Sequence, residues 1–328
     1  MEKAAAAEYD LIVVGGGPAG CACAITAARS GARVLLLEKE TFPRHKVCGE
    51  FVSPESVRLL AALLGRDSLL SVPEIPQARI FSEGKSVALR ISPPACSIPR
   101  FQLDALLLEA ARKAGVLVLE KKSVREVRRH STFLVMTDAE VFRARAVVNA
   151  SGRWSRLNHV EQVGDKWIGI KAHFREAAPH LSVDLYFFPG GYCGVQPISI
   201  DGVNACAMVK AGMAHSLSRI FALHPQLWRR SRDWEQLFPA ITTSGLMFRQ
   251  PQTEHQGLML AGDAAGFIDP FAGDGISLAL HSGTLAAQSL APFFAGKATM
   301  DQAHREYRLG YARRFRPAFR SAARLRRL

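Results

Sequence analysis

No apolar run in the chain is long enough to span a bilayer, which excludes a helical membrane span. The opening residues, MEKAAAAEYD, lack the charged region, apolar stretch and cleavage site of a secretory signal, so a cytoplasmic protein is expected. Cysteine is sparse: the six, at 21, 23, 48, 96, 193 and 206, form neither a zinc pattern nor a C-x-x-C pair. A metal site is therefore not expected, and in a cytoplasmic protein these thiols need no bridges. There is no internal repeat and no low-complexity linker. Acidic residues are outnumbered, giving a net charge of +13, but the excess is local, because Arg305 to Leu328 holds nine arginines, one glutamate and no lysine. Nothing beyond that charge supports nucleic-acid binding.

What is present is an ordinary globular composition, 48% hydrophobic and 22% charged over 328 residues, enough for two domains. YDLIVV (9–14), GGGPAG, a helical stretch from Pro18 to Ser30 closed by Gly31, and RVLLLEK (33–39) read as a strand, turn, helix and strand of a parallel sheet. ARIFSEGKSVALRI (78–91) has two alternating runs around a polar turn and predicts an antiparallel hairpin. Apolar residues at 103, 106, 107, 110 and 111 predict a helix over 102–114. Residues 160–250 change character: WIGIKAHF, VDLYFF and NACAMVK predict an antiparallel sheet, with a helix near 214–228. The parallel pattern resumes at GLMLAGDAAG (257–266), followed by a long helix from Gly275 to Phe294.

In VGGGPAG the G-x-G-x-x-G positions are Gly15, Gly17 and Gly20, with Pro18 and Ala19 opening the helix. They provide a tight turn, a close backbone approach to a pyrophosphate, and close packing of helix on strand. The helix N-terminus faces the phosphates with free N–H groups and a positive dipole end. Glu38, with Lys39 after it, ends the next strand, placed to bind ribose hydroxyls. FAD and NAD readings both begin this way.

The distal segment GDAAGFIDPFAGDGISLAL (262–280), taken with GGGPAG, resembles the flavoprotein superfamily of aromatic hydroxylases, flavin halogenases and geranylgeranyl reductases. The likeness is greatest to geranylgeranyl reductase-like proteins, through FPRHKVCGEFVSPE (42–55), PRFQLDALL (99–107) and GGYCGVQP (190–197). The resemblance implies an α/β fold of the p-hydroxybenzoate hydroxylase type, a Rossmann-type FAD-binding domain with a parallel sheet and an inserted antiparallel β-sheet substrate domain. The expected boundaries are 1–77, 99–158 and 252–300 for the FAD domain, 78–98 and 159–251 for the substrate domain, and 301–328 for a basic C-terminal helix.

By that resemblance Gly262 and Asp263 hold the FAD ribityl chain, and the loop through Pro270, Gly273, Asp274, Gly275 and Ile276 passes under the flavin ring. Asp274 also reads as a cap of the following helix. Arg100 is expected on the FAD phosphates or ribityl chain, with Arg44, Cys48 and Gly49 beside the flavin. Cys48 follows groups that carry or can carry positive charge, a setting that lowers a thiol pKa, and it is read either as an active-site neighbour or as packing. Tyr192 and Gln196 are the other pocket candidates, and His281 reads as a core histidine. Two departures stand out. Ser151 occupies the place of an acid found in relatives that use NAD(P)H, which is a candidate reductant here. Gly194 and Val195 replace an aromatic, reshaping the pocket.

These features imply an FAD-dependent oxidoreductase acting on a hydrophobic small molecule. Reduction of a carbon–carbon double bond in an isoprenoid or related lipid is expected first, and hydroxylation of an aromatic or polyketide-like ring second. Halogenation is not expected: the halogenases rely on a lysine after the first βαβ unit, and between Val47 and Arg112 the only lysine is Lys85, in a polar turn. A reading of another class is a non-enzymatic membrane-surface binder, because Ala303, Tyr307, Tyr311, Phe315 and Phe319 recur at helical spacing among the arginines. The alternative for that stripe is packing on the body of the protein, with Pro317 interrupting the helix near its end. Peripheral membrane contact through this segment is carried as an expectation.

Overall fold

The computed structural model describes residues 8–65, 71–82, 84–153, 157, 167–213, 216–246 and 251–325. Trp154 and Ser155 of the NASGRWS segment lie outside the described residues, as does the start of the helix expected near 214.

The strands are β1 (Tyr9–Val14), β2 (Val34–Leu37), β3 (Phe51–Val52), β4 (Glu74–Ser82), β5 (Lys85–Ser97), β6 (Leu117–Leu119), β7 (Val124–Arg129), β8 (Phe133–Thr137) and β9 (Val141–Asn149). They continue with β10 (Trp167–Arg175), β11 (Ser182–Phe188), β12 (Gly191–Pro197), β13 (Gly202–Lys210), β14 (Glu235–Gln236), β15 (Ile241–Leu246), β16 (Glu254–His255) and β17 (Leu258–Leu260). The helices are α1 (Pro18–Arg29), α2 (Pro54–Leu64), α3 (Arg100–Lys113), α4 (Leu217–Phe221), α5 (Pro225–Arg230), α6 (Gly275–Phe294) and α7 (Met300–Leu325).

One sheet has the order β16-β17-β9-β1-β2-β6, with β7 and β8 continuing antiparallel from β9. β1 is parallel to both neighbours, Leu11 facing Val34 on one side and Ala146 on the other. Its apolar run is buried along both faces, as a central parallel strand requires. The chain goes from β1 to β2 and β6 on one side and reaches β9 and β17 on the other. The carboxyl end of β1 is thus a topological switch point, where open α/β sheets leave a crevice.

Helix α1 is built from small residues, and it lies against α6 at backbone distance. A Cβ on Gly20 would meet the Gly15 carbonyl oxygen at 1.8 Å, and one on Gly283 would meet the Ala19 carbonyl oxygen at 2.0 Å. Gly15 itself has φ of +106°, a conformation that favours glycine.

The second sheet has the order β14-β10-β13-β12-β11-β4-β5-β3, with β15 beside β10. It is not purely antiparallel, because β11 runs parallel to β4, Val183 opposite Ala78. An alternating pattern fixes which side chains share a face but says nothing of strand direction. β3 and the start of β4 also join this sheet, although their residues fall in the segment expected to stay with the first one.

Two helix expectations are corrected. The helix near 214–228 is two, α4 and α5, divided at His224 because Pro225 begins the second. Pro317 sits inside α7 without ending it. Tyr307, Tyr311 and Phe315 are buried in the same core as α1 and α6. At roughly 1.5–3 kcal/mol for each large apolar side chain, that anchoring outweighs the roughly 3 kcal/mol of a helical proline. The aromatic stripe therefore packs on the body of the protein, and the Tyr307 hydroxyl donates to the Leu260 carbonyl at 2.6 Å.

Candidate functional site

A cavity of about 320 Å³ opens at the switch point, between the two sheets. Its wall on the first sheet is the glycine turn, with Gly17, Pro18 and Ala19, together with Gly262, Asp263, Pro270, Gly273, Gly275 and Ile276. Cys48, Gly49 and Arg100 line its middle, and Tyr192 and Gln196 its far wall. Gly15 and Gly20 lie beneath, shaping the turn.

Four charged residues expected at the cofactor do not line the cavity. Asp274 precedes α6 and makes no side-chain capping bond, while burial and nearby Glu55 push its carboxyl up to about 6. Lys39 is exposed and sits 4.0 Å from Glu40. Arg44 lies over the Phe42 ring. Glu38 is buried, accepting from the Gly16 amide at 2.6 Å and the Glu40 amide at 2.9 Å, with Arg44 4.0 Å away. His281, read as a core histidine, contacts Arg314 of α7 at 3.0 Å and likewise does not line the cavity.

Helices α1 and α6 both begin at the cavity, and neither N-terminus has a side-chain cap. Their free amides and dipoles make the cavity positive at two points. A Cβ on Gly17 would meet nothing within 4 Å, so the turn leaves open space beside the α1 N-terminus. Arg153 also lines the cavity, 3.6 Å from Asp263 and over the Phe267 ring, and its buried Nη1 has no hydrogen-bond partner among the described residues. Open space, free amides and an unsatisfied guanidinium donor together fit a bound anionic dinucleotide.

Arg100 begins α3, buried, and makes two 2.7 Å bonds to Asp104. Burial disfavours its charge, but Asp104 and Cys48 more than offset this and raise its pKa. Cys48 therefore has a guanidinium beside it, which the sequence did not reveal. The thiol also accepts from the Glu50 amide at 3.3 Å.

The Cys48–Glu50 turn is held from the second sheet. Asn204 on β13 donates to the carbonyls of Cys48 at 3.1 Å and Gly49 at 2.9 Å. Glu50, in a left-handed conformation with φ of 64°, is fully buried between Lys171 and His173 of β10. It accepts from the Lys171 ammonium, bonds His173 Nε2 at 2.8 Å, and accepts from the Arg100 amide at 2.7 Å. Burial pushes the Glu50 carboxyl up, but the His173 bond and the Lys171 charge outweigh it, holding the group below the usual carboxylate range.

Lys46 lines the cavity as well. Burial first, then the Arg100 charge, brings its ammonium down to about 8. It stands one position before Val47, whereas Lys85 is exposed at the start of β5. The cavity thus does hold a lysine after the first βαβ unit, and lack of one gives no ground against halogenation. Burial raises the Tyr192 phenol well above its ordinary value, so it stays neutral. Gln196 donates to Ser97 at 2.6 Å. Gly194 faces the cavity and Val195 the opposite core, so the missing aromatic leaves space at one position only. The Ser151 hydroxyl turns to the Asn149 side chain and does not line the cavity.

The model of the FAD dependent oxidoreductase family matches residues 10–43. The chain is 30% identical to a digeranylgeranylglycerophospholipid reductase of Methanocella arvoryzae, covering 87% of this chain and 78% of the relative. A menaquinone reductase of Mycobacterium tuberculosis is 27% identical over 86% of this chain and 76% of its own length. Among solved structures, a myxobacterial chondrochloren halogenase superposes with a TM-score of 0.81 at 25% identity, covering 94% of this chain and 80% of that one. No described helix is long and apolar enough to cross a membrane. The chain belongs to the geranylgeranyl reductase-like family of FAD-dependent oxidoreductases, and as an enzyme of that family it uses FAD.

Proposed function

We propose that the enzyme reduces a carbon–carbon double bond in the isoprenoid chain of a lipid. The observation that carries this reading is the polarity of the cavity. Its charged residues, Lys46, Glu50, Arg100, Arg153 and Asp263, lie in the 46–50 stretch, at the start of α3, after β9 and in the 262–276 loop, whereas the strands of the second sheet face it with Val183, Leu185, Met208 and Leu246 and with the uncharged Tyr192, Gln196 and Thr243. A cavity that is anion-binding on one wall and uncharged on the other suits a flavin facing a hydrocarbon. The names of the two relatives, which denote prenylated lipids, support the same substrate class.

In this reading the amides of α1 would hold the pyrophosphate, with Glu38 near the ribose. Asp263, Arg153 and Arg100 would lie along the ribityl chain, and the Gly273–Gly275 backbone and the α6 N-terminus would face the ring edge. Bound flavin supplies a two-electron carrier. Cys48, Tyr192 and Gln196 wall the substrate side, and the neutral Tyr192 phenol and the Cys48 thiol beside Arg100 are the protic groups there. Hydroxylation is the competing reading, because the same fold carries a different FAD-dependent reaction in the chondrochloren halogenase neighbour.

The purified flavoprotein, reduced with dithionite without oxygen, should convert a geranylgeranyl glycerolipid to a product carrying an extra pair of hydrogens by mass spectrometry. A product that forms only with oxygen and carries an added oxygen atom would overturn the reductase reading. NADPH in place of dithionite then tests the reductant.

A further inference from the structure

The hairpin of β4 and β5 is built the wrong way out for a solvated ribbon. Along β5 the side chains alternate, and one face carries Ser86, Ala88 and Arg90, the other Val87, Leu89 and Ile91. Over residues 85–90 this strand pairs only with β4 among the described residues, and Val87 and Leu89 are 51% and 50% exposed. Two large β-branched or branched apolar side chains thus stand half in water on one face of an edge strand, where polar residues are the usual protection.

That face has a definite continuation. Leu89 is paired across the strands with Ala78, and Val87 with Ile80. Ala78 is in turn opposite Val183, and Ile80 opposite Leu185. Ala78, Ile91, Val183 and Leu185 line the cavity. The exposed apolar row is therefore the outward extension of the cavity wall, on the same face of the same sheet. From Ile91 to Val87 it runs about 13 Å, at the rise of an extended strand, and it bears no charge until Lys85 at the tip.

We infer that this strip is an extended subsite that carries the distal part of a long, linear apolar chain whose reacting segment lies in the cavity. The inference rests on the isoprenoid reading above and adds where the rest of the chain goes. The cavity, at about 320 Å³, is at the small end for a drug-sized ligand, so a long lipid chain with its reacting segment beside the flavin ring would extend beyond it. The exposed row lies along a single strand, with the β4 and β11 residues beside it partly covered and leading into the cavity, which suits a single extended chain and not a broad lipid surface.

The test uses the FAD-loaded enzyme and the double variant V87S/L89S, whose positions are exposed and outside the cofactor wall. A fluorescent polyene fatty acid serves as the long-chain probe and a short branched alcohol of the same polarity as the control. Affinity for the long probe should fall roughly tenfold, about 1.4 kcal/mol, with short-probe affinity and FAD content unchanged. V87M/L89M should retain the affinity of the native chain. Unchanged long-probe affinity in V87S/L89S overturns the subsite. So does a variant that loses binding to phosphatidylcholine vesicles, or loses a dimer, while still binding the probe normally, since the face would then belong to a membrane or a second copy. Probe binding that depends on this strip in an enzyme that reduces no isoprenoid would sink the reductase reading and leave the subsite standing.

Discussion

At the residue scale the site turns on small differences in space and charge. Gly17 has extended backbone that any residue adopts, with φ of −77° and ψ of −178°, and the space beyond it is open. Gly17→Val should therefore fold normally yet fill the room that the pyrophosphate needs. Equilibrium dialysis should show FAD binding weakened at least about a hundredfold, near 2.7 kcal/mol, with native circular dichroism, and native FAD affinity would remove the turn from the cofactor site. Lys46 offers a pH signature. With its free-enzyme pKa near 8, binding an anionic cofactor raises that value, so the affinity that depends on its charge is complete below the free value and is lost as pH rises through the bound one. FAD affinity, followed by flavin fluorescence, should fall between about pH 7.5 and pH 9.5, and Lys46→Gln should flatten that part of the profile. A wild-type profile without a slope there would place Lys46 away from the cofactor's charge.

The element that decides the site's geometry is the Cys48–Glu50 turn, clamped to β10 and β13. Glu50 and Lys171 are both fully buried, so the pair stands in place of solvent for each charge. Lys171→Met would leave the carboxylate with His173 and one backbone amide, and should lower stability by about 3–5 kcal/mol in urea denaturation. Adding Glu50→Gln should recover much of the loss, because the orphaned charge is gone. A Lys171→Met protein within about 1 kcal/mol of wild type would mean that solvent reaches this pair. Little of the clamp is readable from the chain. Glu50 stands in the FPRHKVCGEFVSPE stretch, but Lys171 and Asn204 lie in segments whose sequence shows only alternation, and pairing register across a mixed sheet brings them to the turn.

For the whole molecule, one cavity is walled by both sheets, which ties their stabilities to the cofactor. FAD at a hundredfold excess over its dissociation constant should stabilise the protein by about 2.7 kcal/mol, a rise on the order of 5 °C in unfolding temperature. Calorimetry of the apoprotein with and without FAD checks this, and Gly17→Val should show no such rise. An apoprotein whose unfolding temperature ignores FAD would mean that FAD does not bind the folded chain at that concentration. The sequence by itself determined the strand–turn–helix at residues 9–30, the long helix at 275–294 and the hairpin over 78–91, because buried periodicity, glycine spacing and turn chemistry act over short distances. It also placed Gly17, Asp263 and Cys48 at one site through the segments that resemble a known family. Only the tertiary structure decided that β4 and β11 run parallel, that Arg100 stands beside Cys48, that Lys46 and Arg153 enter the cavity while Lys39 does not, and that the aromatic stripe of α7 is spent on the core. Each of these depends on which face of one element meets another far away in the chain, and a pattern of apolar and polar residues carries a face but not its partner.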